Sequence, residues 1–502
     1  MDLVLGFSIF LGIIMGWFWW KWINNKKKKD SRVPKGSLGF PLIGETLDFI
    51  ICGYSSRPVS FMEKRKSLYG KVFKSHILGR PIIVSTDPYV NKAILQNNGS
   101  TFVPYYPKSV TELMGKASIL QMNGSTHKRV HGLIGSFLKS PQFKSRLTRV
   151  IEKSVLLPME NWKNKNPVYI QEETKKITFE VLVMVLMGIG PGEELEFLRR
   201  EFAEFIKGLI CLPIKLPGTT FYKSLKAKER LVKMVRRIIE EKKLNMERTT
   251  TMSESESESE ERDRDESGRR PILDVADVFL CDAVESNGME QQQQQTVDVI
   301  SENMIEMMIP GEDSVPMLMT FAVKYISDCP LALKQLTEEN MELKRQKDST
   351  GEEYDWTDYM SLPFTQDVIS ETLRMANIIN AVWRKALKDV DIKGYLIPKG
   401  WCVLASFSSV HLDEENYENP YQFDPWRWQR KEGNLSNSIC FTPFGGGQRL
   451  CPGFELGRLE ISIFLHHLVT RYRWVAEEDY SISFPTVKMK KKLPIIVAPI
   501  SS

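Results

Sequence analysis

The spacing of hydrophobic and polar positions predicts a mainly helical chain with a few short strands near its beginning. Apolar, β-like stretches at Val72–Ile77 and 82–85 predict two strands. The pattern then becomes largely helical. It predicts a basic amphipathic helix at 224–246, a long helix rich in Met and Ile at 296–328, and a helix after a proline at 454–472. We therefore expect a mainly α fold with a small β portion.

The chain begins with an apolar run. Residues 3–20 contain no charge, and as a helix they would span about 27 Å, enough for a thin bilayer. Tryptophans cluster at the end of the run and lysines follow at 26–29, which predicts that the chain after the run stays cytosolic. A cleaved signal peptide is the alternative, but its basic residues should come first. We predict a transmembrane anchor at 1–23 and a basic, proline-rich hinge at 24–45.

Two polar tracts interrupt the rest of the chain, which we expect to form one large domain at 46–502. Residues 249–270 alternate Ser and Glu before they turn to mixed acids and arginines, and residues 291–295 are all Gln. Such segments bury too little apolar surface to fold, so we expect a disordered insertion at about 249–295. A solvated surface loop is the preferred interpretation of the Ser/Glu tract, and a phosphorylation switch is the alternative.

Composition narrows the class of protein. The chain has 502 residues, 42% of them hydrophobic, and a net charge of only +5, which does not indicate a nucleic-acid partner. Its 7 cysteines are odd in number, scattered and without C-x-x-C pairs. That usage argues against a disulfide framework or a zinc site, and for a reducing compartment. The 6 histidines show no metal-ligand spacing, and we expect the pair at 466 and 467 to pack or cap.

One cysteine lies in a distinctive setting. Cys451 belongs to the run F-G-G-G-Q-R-L-C-P-G, which begins at Phe444. Glycines such as Gly447 allow a tight loop whose backbone approaches the sulfur, and Arg449 supplies a permanent cation. A helix that begins after Pro452 directs its positive end at a thiolate. These residue types suit a thiolate ligand to haem iron, with the arginine pairing with a haem propionate. A glycine-rich loop around a buried cysteine is the alternative.

Two further motifs precede this loop. Glu371 and Arg374 form E-x-x-R on a helix, and Arg427 lies in F-D-P-W-R-W. Positions i and i+3 share a helix face, so Glu371 and Arg374 can form one unit, which Arg427 can join. In this order, the three motifs resemble the cytochrome P450 superfamily of haem-thiolate monooxygenases. The resemblance implies the fold of that superfamily, haem b as cofactor, and a triad of these residues that fixes the haem-binding loop.

The long Met- and Ile-rich helix carries P-G-E-D-S-V-P where the resembling family usually has A-G-x-D/E-T. Asp313 and Ser314 align with the acid and the alcohol that deliver protons during oxygen activation, and Gly311 with a glycine that allows close approach to the haem. A carboxylate and a hydroxyl are the groups that such a relay needs. Pro310 and Pro316 should kink the helix. An acidic turn between two helices, with Pro310 as terminator, is the alternative.

The same resemblance implies further haem contacts. Arg384 aligns with a propionate-binding arginine. His127 begins the motif that the family writes W/H-x-x-x-R, but His131 stands in place of its arginine. The propionate role of that position is therefore open, and Lys128 or Arg129 would compensate.

Longer sequence segments narrow the resemblance to one group of enzymes within the superfamily. Residues 33–50, 57–79, 119–124 and 310–316 resemble plant brassinosteroid side-chain hydroxylases, most of all the steroid C-23 hydroxylase branch. C-22 steroid hydroxylases and triterpenoid oxidases are near neighbours. The resemblance implies a steroid substrate derived from campesterol and already hydroxylated at C-22. Apolar candidate lining segments with scattered hydroxyls suit a sterol. The residues that we assign to substrate binding are Thr111, Ile378, Asn380, Val382 and Thr486.

The resemblance also implies partners and a location. The sequence has no flavin or iron–sulfur motif, so electrons would come from NADPH through a membrane-bound diflavin reductase that docks near Arg129, Arg430 and Lys431. The anchor would lie in the lipid of the endoplasmic reticulum membrane, with the catalytic domain in the cytosol. A haem-thiolate isomerase or lyase that does not use dioxygen is the competing class, and the acid–alcohol pair favours the monooxygenase.

Overall fold

The computed structural model describes residues 31–252, 273–286, 290–430 and 439–500, except the single positions 42, 56, 98, 116 and 485, and it also describes Gly12 and Gly16. Apart from these two glycines, the predicted anchor and the first part of the hinge lie outside the described residues. Within the described part of the chain, no helix combines the length and the apolar character that crossing a bilayer requires.

Helices make up most of the described chain. In chain order they are α1 Thr46–Gly53, α2 Ser60–Tyr69, α3 Pro88–Leu95, α4 Lys108–Met114, α5 Gly124–Lys139, α6 Pro141–Glu160, α7 Ile170–Met187, α8 Glu193–Ile206, α9 Thr220–Met252, α10 Val275–Ser286, α11 Glu290–Met307, α12 Ile309–Asp313, α13 Val315–Asp328, α14 Pro330–Thr350, α15 Trp356–Met360, α16 Pro363–Ala376, α17 Ser408–His411 and α18 Phe454–Arg471.

The strands are short. They are β1 Val72–Ile77, β2 Arg80–Ser85, β3 Phe102–Pro104, β4 Val168–Tyr169, β5 Ala381–Ala386, β6 Val390–Ile392, β7 Tyr395–Ile397, β8 Cys402–Ser406, β9 Tyr472–Ala476, β10 Ser481–Ile482, β11 Lys488–Met489 and β12 Pro494–Pro499. The mainly α class with a small β portion is confirmed, and so are the two predicted strands, which are β1 and β2.

The chain divides into two compact units, residues 1–105 with 381–410 and residues 106–380 with 411–502. The first unit is built on a five-stranded sheet in the order β1-β2-β8-β5-β3, in which β2 and β8 run parallel and the other neighbours antiparallel. Alternate strand residues face opposite sides, so Ile83 packs with α3 residues and Ile82 with α2 residues. Both faces of this sheet are therefore buried.

The second unit contains the large helical core. Its buried side chains come from most helices between α4 and α18. Helices α13 and α18 are buried on most sides, with Phe321 on the first and Phe464 on the second among their buried side chains. Helices that are apolar on most faces belong in the centre of a large domain. A three-stranded sheet, β4-β12-β9, and the β10–β11 pair complete this unit.

The structure corrects only the described parts of the disordered insertion expected at about 249–295. Helix α9 runs past the beginning of this region, and α10 and α11 lie in its second half. Val275, Ala276 and Phe279 of α10 are buried in the core, so this apolar stretch supplies the buried surface that the polar tracts lack. The backbone of the Gln run is helical, in keeping with the good helix propensity of Gln. Most of the Ser/Glu tract lies outside the described residues.

The helix predicted at 296–328 is divided into α11, α12 and α13, with breaks at Met308 and Ser314. Pro310 lies in the first turn of α12, and Pro316 in the first turn of α13. A proline in a first turn costs little because the N–H that it lacks has no partner within the helix there. The two prolines therefore begin new helices rather than kink a single one.

Candidate active site

The loop around Cys451 is held by its own backbone. The Cys451 N–H donates to the Phe444 carbonyl at 3.1 Å, and the Gly445 N–H donates to the Thr442 carbonyl at 3.0 Å. Gly445 and Gly447 have φ angles of 76° and 64°, in the left-handed region where other residues are strained. These glycines allow the tight loop that positions the thiol.

The thiol lies just before α18. Cys451 is half-buried, and Gly453 caps the helix. Burial raises the pKa of the Cys451 thiol, and a hydrogen bond from the Gly453 backbone N–H lowers it. A soft sulfur at a helix N-terminus with a backbone donor fits a thiolate that would hold a haem iron, and a bound metal would deprotonate it outright.

Helix α5 brings a histidine to the same loop. His131 Nε2 lies 2.7 Å from the carbonyl oxygen of Leu450, the residue before Cys451. A carbonyl only accepts, so Nε2 donates in this bond. His127, one turn earlier, is buried, and its ring centroid lies 5.5 Å from that of His131. Where the family usually has an arginine, this chain has a donor that contacts the cysteine loop itself.

Arg449 reaches the segment before α5. Its guanidinium donates to the Leu120 carbonyl at 3.3 Å, to the Met122 carbonyl, and to Asn123 Oδ1 at 3.0 Å. These bonds tie the cysteine loop to the beginning of α5. The permanent positive charge of the guanidinium suits pairing with an anionic group such as a propionate.

Glu371 and two arginines form a buried cluster. Arg374 donates to both carboxylate oxygens of Glu371, at 2.9 and 2.8 Å, and Arg427 Nε donates to Glu371 Oε1 at 3.0 Å. The exposed fractions of the three side chains are 0% for Glu371 and Arg374 and 4% for Arg427. The Trp428 indole N–H and the Asp424 backbone N–H also donate to this carboxylate, at 3.2 and 3.1 Å. A buried ion pair with this many hydrogen bonds can offset its desolvation cost.

Other guanidinium donors tie α16 to the chain that leads to the cysteine loop. Arg374 donates to the His411 and Pro420 carbonyls at 2.8 and 2.7 Å, and Arg427 donates to the Glu418 carbonyl at 3.0 Å. The triad predicted from sequence is thus one connected network in the structure, and it organises the backbone on the approach to Cys451.

Asp313 and Ser314 lie at the break between α12 and α13. Ser314 is half-buried. Lys175 of α7 lies 3.7 Å from Asp313 and 2.6 Å from Glu312. Burial raises the pKa of Asp313, while the charge of Lys175 lowers it. A carboxyl with a raised pKa whose nearest cation is shared with a second acid can take up and release a proton, as a relay requires.

Gly311 packs against α7. A Cβ on Gly311 would stand 2.8 Å from Leu182 Cδ2 and 3.2 Å from the Thr178 carbonyl oxygen, so a larger residue would have to displace atoms of α7. The Thr178 hydroxyl also donates to the Gly311 carbonyl at 2.7 Å. We expected this glycine to allow close approach to the haem, and the structure gives the packing of α12 on α7 as a reason for it.

The helix that follows Cys451 lies against the segment that carries the acid and the alcohol. A Cβ on Gly457 of α18 would stand 3.7 Å from Cγ2 of Val315, the residue after Ser314. The thiol and the candidate proton relay therefore lie on segments joined by a direct contact between α18 and α13.

The residues assigned to the substrate lie on different elements. Thr111 is on α4, where its hydroxyl donates to the Lys108 carbonyl at 3.1 Å. Ile378 and Thr486 are half-buried, whereas Asn380 is exposed. All of these belong to the second unit.

Two predicted site residues belong to the first unit. Val382 and Arg384 both lie on β5 and are half-buried. The Arg384 guanidinium donates to the Trp383 carbonyl at 3.0 Å. The structure therefore places the candidate propionate ligand on a regular strand of the sheet.

The basic residues expected to face a reductase take part in ion pairs. Arg129 lies 3.1 Å from Asp282, and Arg430 contacts Asp424. Lys431 lies outside the described residues. Contacts with these acids lower the net positive charge around both arginines.

The sequence analysis does not identify some residues of the site. Trp428 could have been found, because it stands beside Arg427 in F-D-P-W-R-W and an indole N–H is a ready donor to a buried carboxylate. Lys175 and His411 lie outside every motif. Only the fold brings them to Asp313 and to the triad, so no sequence signal points to them.

Known proteins share this chain's sequence and fold. Residues 34–497 match the family described as Cytochrome P450. The chain is 60% identical to the 3-epi-6-deoxocathasterone 23-monooxygenase CYP90C1 of Arabidopsis thaliana, covering 99% of this chain and 93% of that protein. It is 54% identical to the 3-epi-6-deoxocathasterone 23-monooxygenase CYP90D1 of the same plant, covering 92% and 89%.

A more distant relative and a solved structure complete the comparison. The 3beta,22alpha-dihydroxysteroid 3-dehydrogenase of Arabidopsis thaliana is 42% identical, covering 93% of this chain and 92% of that protein. Retinoic acid bound cyanobacterial CYP120A1 has the same fold, with a TM-score of 0.74 at 22% identity, covering 93% of this chain and 99% of that one. The chain therefore belongs to the cytochrome P450 family, whose members bind haem iron.

Proposed function

We propose that this cytochrome P450 is a monooxygenase of brassinosteroid biosynthesis that hydroxylates a plant steroid side chain at C-23. Its substrate is a 22-hydroxylated intermediate derived from campesterol. The observation that carries the proposal is 60% identity over 99% of the chain to one 23-monooxygenase, together with 54% identity to a second. Identity of this extent covers both units and all the motifs described above.

The residues of the second unit suit this chemistry. The haem iron, when bound, supplies the reductive activation of dioxygen. Cys451 would hold it as an anionic sulfur ligand, with His131 and Arg449 fixing the part of the loop that directly precedes the cysteine. Asp313 holds a proton more readily than an exposed aspartate because burial raises its pKa. Ser314 can both donate and accept beside it, which makes the pair a route for protons.

Recognition of the C-22 hydroxyl explains selectivity between related steroids. A site built to hydrogen-bond a substrate hydroxyl rejects the analogue that lacks it, because its own polar groups would remain unpaired. We assign the steroid contacts to the residues named from sequence, namely Thr111, Ile378, Asn380, Val382 and Thr486.

Electrons and location complete the proposal. NADPH supplies electrons through a membrane-bound diflavin reductase. The apolar run at 3–20 and the lysines at 26–29 support an anchor in the endoplasmic reticulum membrane, with the catalytic part in the cytosol.

A reconstitution tests the proposal. The full-length enzyme, a plant diflavin reductase and NADPH are supplied with ¹⁸O₂ and either the 22-hydroxylated steroid or campesterol, and products are identified by mass spectrometry. We expect the 22-hydroxylated steroid to react more than about tenfold faster and to gain one ¹⁸O atom. Cys451→Ala is the control, and it should yield no product and lack the thiolate absorption band of the reduced carbon monoxide complex.

Other outcomes would contradict the proposal and identify a different reaction. Preference for campesterol with a 22-hydroxy product indicates a C-22 hydroxylase, and a 3-ketone indicates the reaction named for the 42% identical relative. Activity on pentacyclic triterpenoids alone indicates a triterpenoid oxidase. A rearranged product without ¹⁸O indicates an isomerase or lyase that does not use dioxygen.

A further inference from the structure

A buried histidine outside every sequence motif lies between the triad and the cysteine loop. His411 is 1% exposed. Its Nδ1 lies 2.8 Å from Asn377 Oδ1, and its Nε2 accepts a hydrogen bond from the Thr442 backbone N–H at 3.1 Å. The two ring nitrogens therefore bond to two separate segments of the second unit.

These bonds define the state of the ring. A backbone N–H only donates, so Nε2 of His411 must accept, and Nδ1 carries the hydrogen that goes to Asn377. Burial, followed by the nearby charge of Arg374, lowers the pKa of His411 to about 3. The ring is therefore neutral at physiological pH, as both contacts require.

Each partner belongs to a fixed part of the structure. Asn377 ends α16 in the left-handed conformation, with φ of 45°, and its amide donates back to the Arg374 carbonyl at 2.8 Å. Thr442 lies two residues before Phe444, whose carbonyl accepts the Cys451 N–H at 3.1 Å. A hydrogen-bonded path thus runs from the triad through one imidazole to the thiol-bearing loop.

We propose that His411 is a positioning residue that couples the triad to the cysteine loop and so keeps Cys451 placed as the thiolate ligand. The proposal rests on Cys451 holding the haem, as in the proposed function. When the Nε2 acceptor is removed, the Thr442 N–H loses its partner. The loop then gains an alternative position in which this N–H bonds to water, and Cys451 would hold the iron less firmly.

Two substitutions separate the two halves of the contact. His411→Gln carries a carbonyl oxygen near the position of Nε2 and keeps an acceptor for the Thr442 N–H. His411→Asn carries an amide near the position of Nδ1 and keeps only the donor to Asn377. His466→Phe is the matched control, because His466 is also 1% exposed, bonds to Asn340 Oδ1 at 3.0 Å through Nδ1, and lies far along α18 from the cysteine.

The measurement uses the full-length holoenzyme without substrate. In denaturant below the unfolding transition, the reduced carbon monoxide complex is followed as the thiolate absorption band gives way to the shorter-wavelength band that marks loss of the thiolate. Circular dichroism reports the free energy of unfolding in parallel. We expect His411→Asn to lose the band about 5- to 10-fold faster than the parent, the factor for one buried hydrogen bond, and His411→Gln to stay within about twofold.

The control variant His466→Phe should have a lower free energy of unfolding than the parent, but it should not lose the thiolate absorption band faster. If His411→Asn folds but never forms the thiolate band, the outcome also supports the positioning role, because the thiolate ligand is then lost completely. Equal acceleration in the Gln and Asn variants, or in His466→Phe, would overturn the positioning role. A parental thiolate band without any steroid turnover defeats the proposed function alone, whereas a thiolate band in Cys451→Ala defeats the ligand assignment beneath both proposals.

Discussion

Glu306 shows, at the scale of one residue, how burial sets the proton affinity of an acid next to this site. The Ser118 hydroxyl donates to Glu306 Oε2 at 2.7 Å, and within the described part of the chain Oε1 has no hydrogen-bond partner. Burial raises the pKa of Glu306 to about 7, and the Ser118 bond opposes that rise. One turn earlier, Asn303 Oδ1 accepts from the Ile119 N–H at 2.9 Å. Helix α11 therefore binds the segment before α5 through Glu306 and Asn303. Burial stabilises the protonated form of the Glu306 carboxyl.

Replacing Glu306 with Gln should weaken the pH dependence of stability. The fold favours the protonated acid, so its contribution is present below the unfolded pKa of about 4.5 and is lost as pH rises through about 7. Between about pH 5 and pH 8, the parental unfolding free energy should therefore fall by on the order of 2 kcal/mol more than that of Glu306→Gln, as denaturant unfolding would show. Glu229→Gln, at an exposed carboxylate, should keep the parental slope. An unchanged slope in Glu306→Gln would contradict the raised pKa.

Ser314 should affect coupling rather than binding. Ser314→Ala removes the hydroxyl of the relay, so haem and steroid binding should persist while NADPH is consumed with release of peroxide instead of product. Asp313→Asn should slow turnover by roughly 10²–10⁴-fold, the range for a lost general acid. Glu312→Gln, which changes the other partner of Lys175, should keep most of the parental rate. The measurement is the amount of product and of peroxide formed per NADPH consumed. If Ser314→Ala and Asp313→Asn both give the parental values, the two residues do not form a proton relay.

At the scale of elements, the triad joins α16 to the backbone that precedes the cysteine loop. Glu371→Gln removes the charge that compensates two buried guanidinium groups, so we expect it to lower the unfolding free energy by about 3–5 kcal/mol. Glu63→Gln is the matched surface control, because Glu63 is 42% exposed and pairs with Arg57 at 3.3 Å. That change should cost less than about 1 kcal/mol. Similar losses in the two variants, measured by denaturant unfolding, would mean that the triad does not stabilise the fold.

The packing of α12 on α7 gives a second test at this scale. Gly311→Ala places a methyl group against Leu182 and the Thr178 carbonyl, and such overpacking should cost about 1–3 kcal/mol. Gly135→Ala, within α5, meets no atom within 4 Å and should be neutral or stabilising by up to about 1 kcal/mol. Thermal or denaturant unfolding of both variants is the measurement. A Gly311→Ala protein as stable as the parent would show that α7 yields at this contact.

Particular elements show what could be predicted from sequence. The helix after Pro452 was placed within one residue, because a strong N-terminal signal and a long apolar pattern coincide there. The sequence pattern does not predict the helices at 275–286 and 290–295, because the short apolar stretch at the beginning of α10 lies between two polar tracts. Local pattern could not show that α7 fills the space beside Gly311, since these segments are far apart in sequence and meet only in the fold.

At the scale of the whole molecule, the resemblance to the steroid C-23 hydroxylase branch is confirmed by 60% identity over 99% of the chain. That resemblance rests on sequence segments spread along the chain. The proposed substrate is inferred from the resemblance and not from the shape of a pocket. The motifs also named Glu371, Arg374 and Arg427, which the structure brings into one network. Apart from Gly12 and Gly16, the anchor at 1–23 lies outside the described residues, and it stays a prediction.

The position of the oxygen atom tests the central claim most directly. The enzyme, its reductase and NADPH are supplied with a 22-hydroxylated campesterol-derived steroid that carries two deuterium atoms at C-23, and the product is examined by mass spectrometry. Hydroxylation at C-23 replaces one C–D bond with C–OH, so we predict a product that has gained one oxygen atom and kept one deuterium. An oxygenated product that keeps both deuterium atoms would place the reaction at another carbon and contradict the assignment.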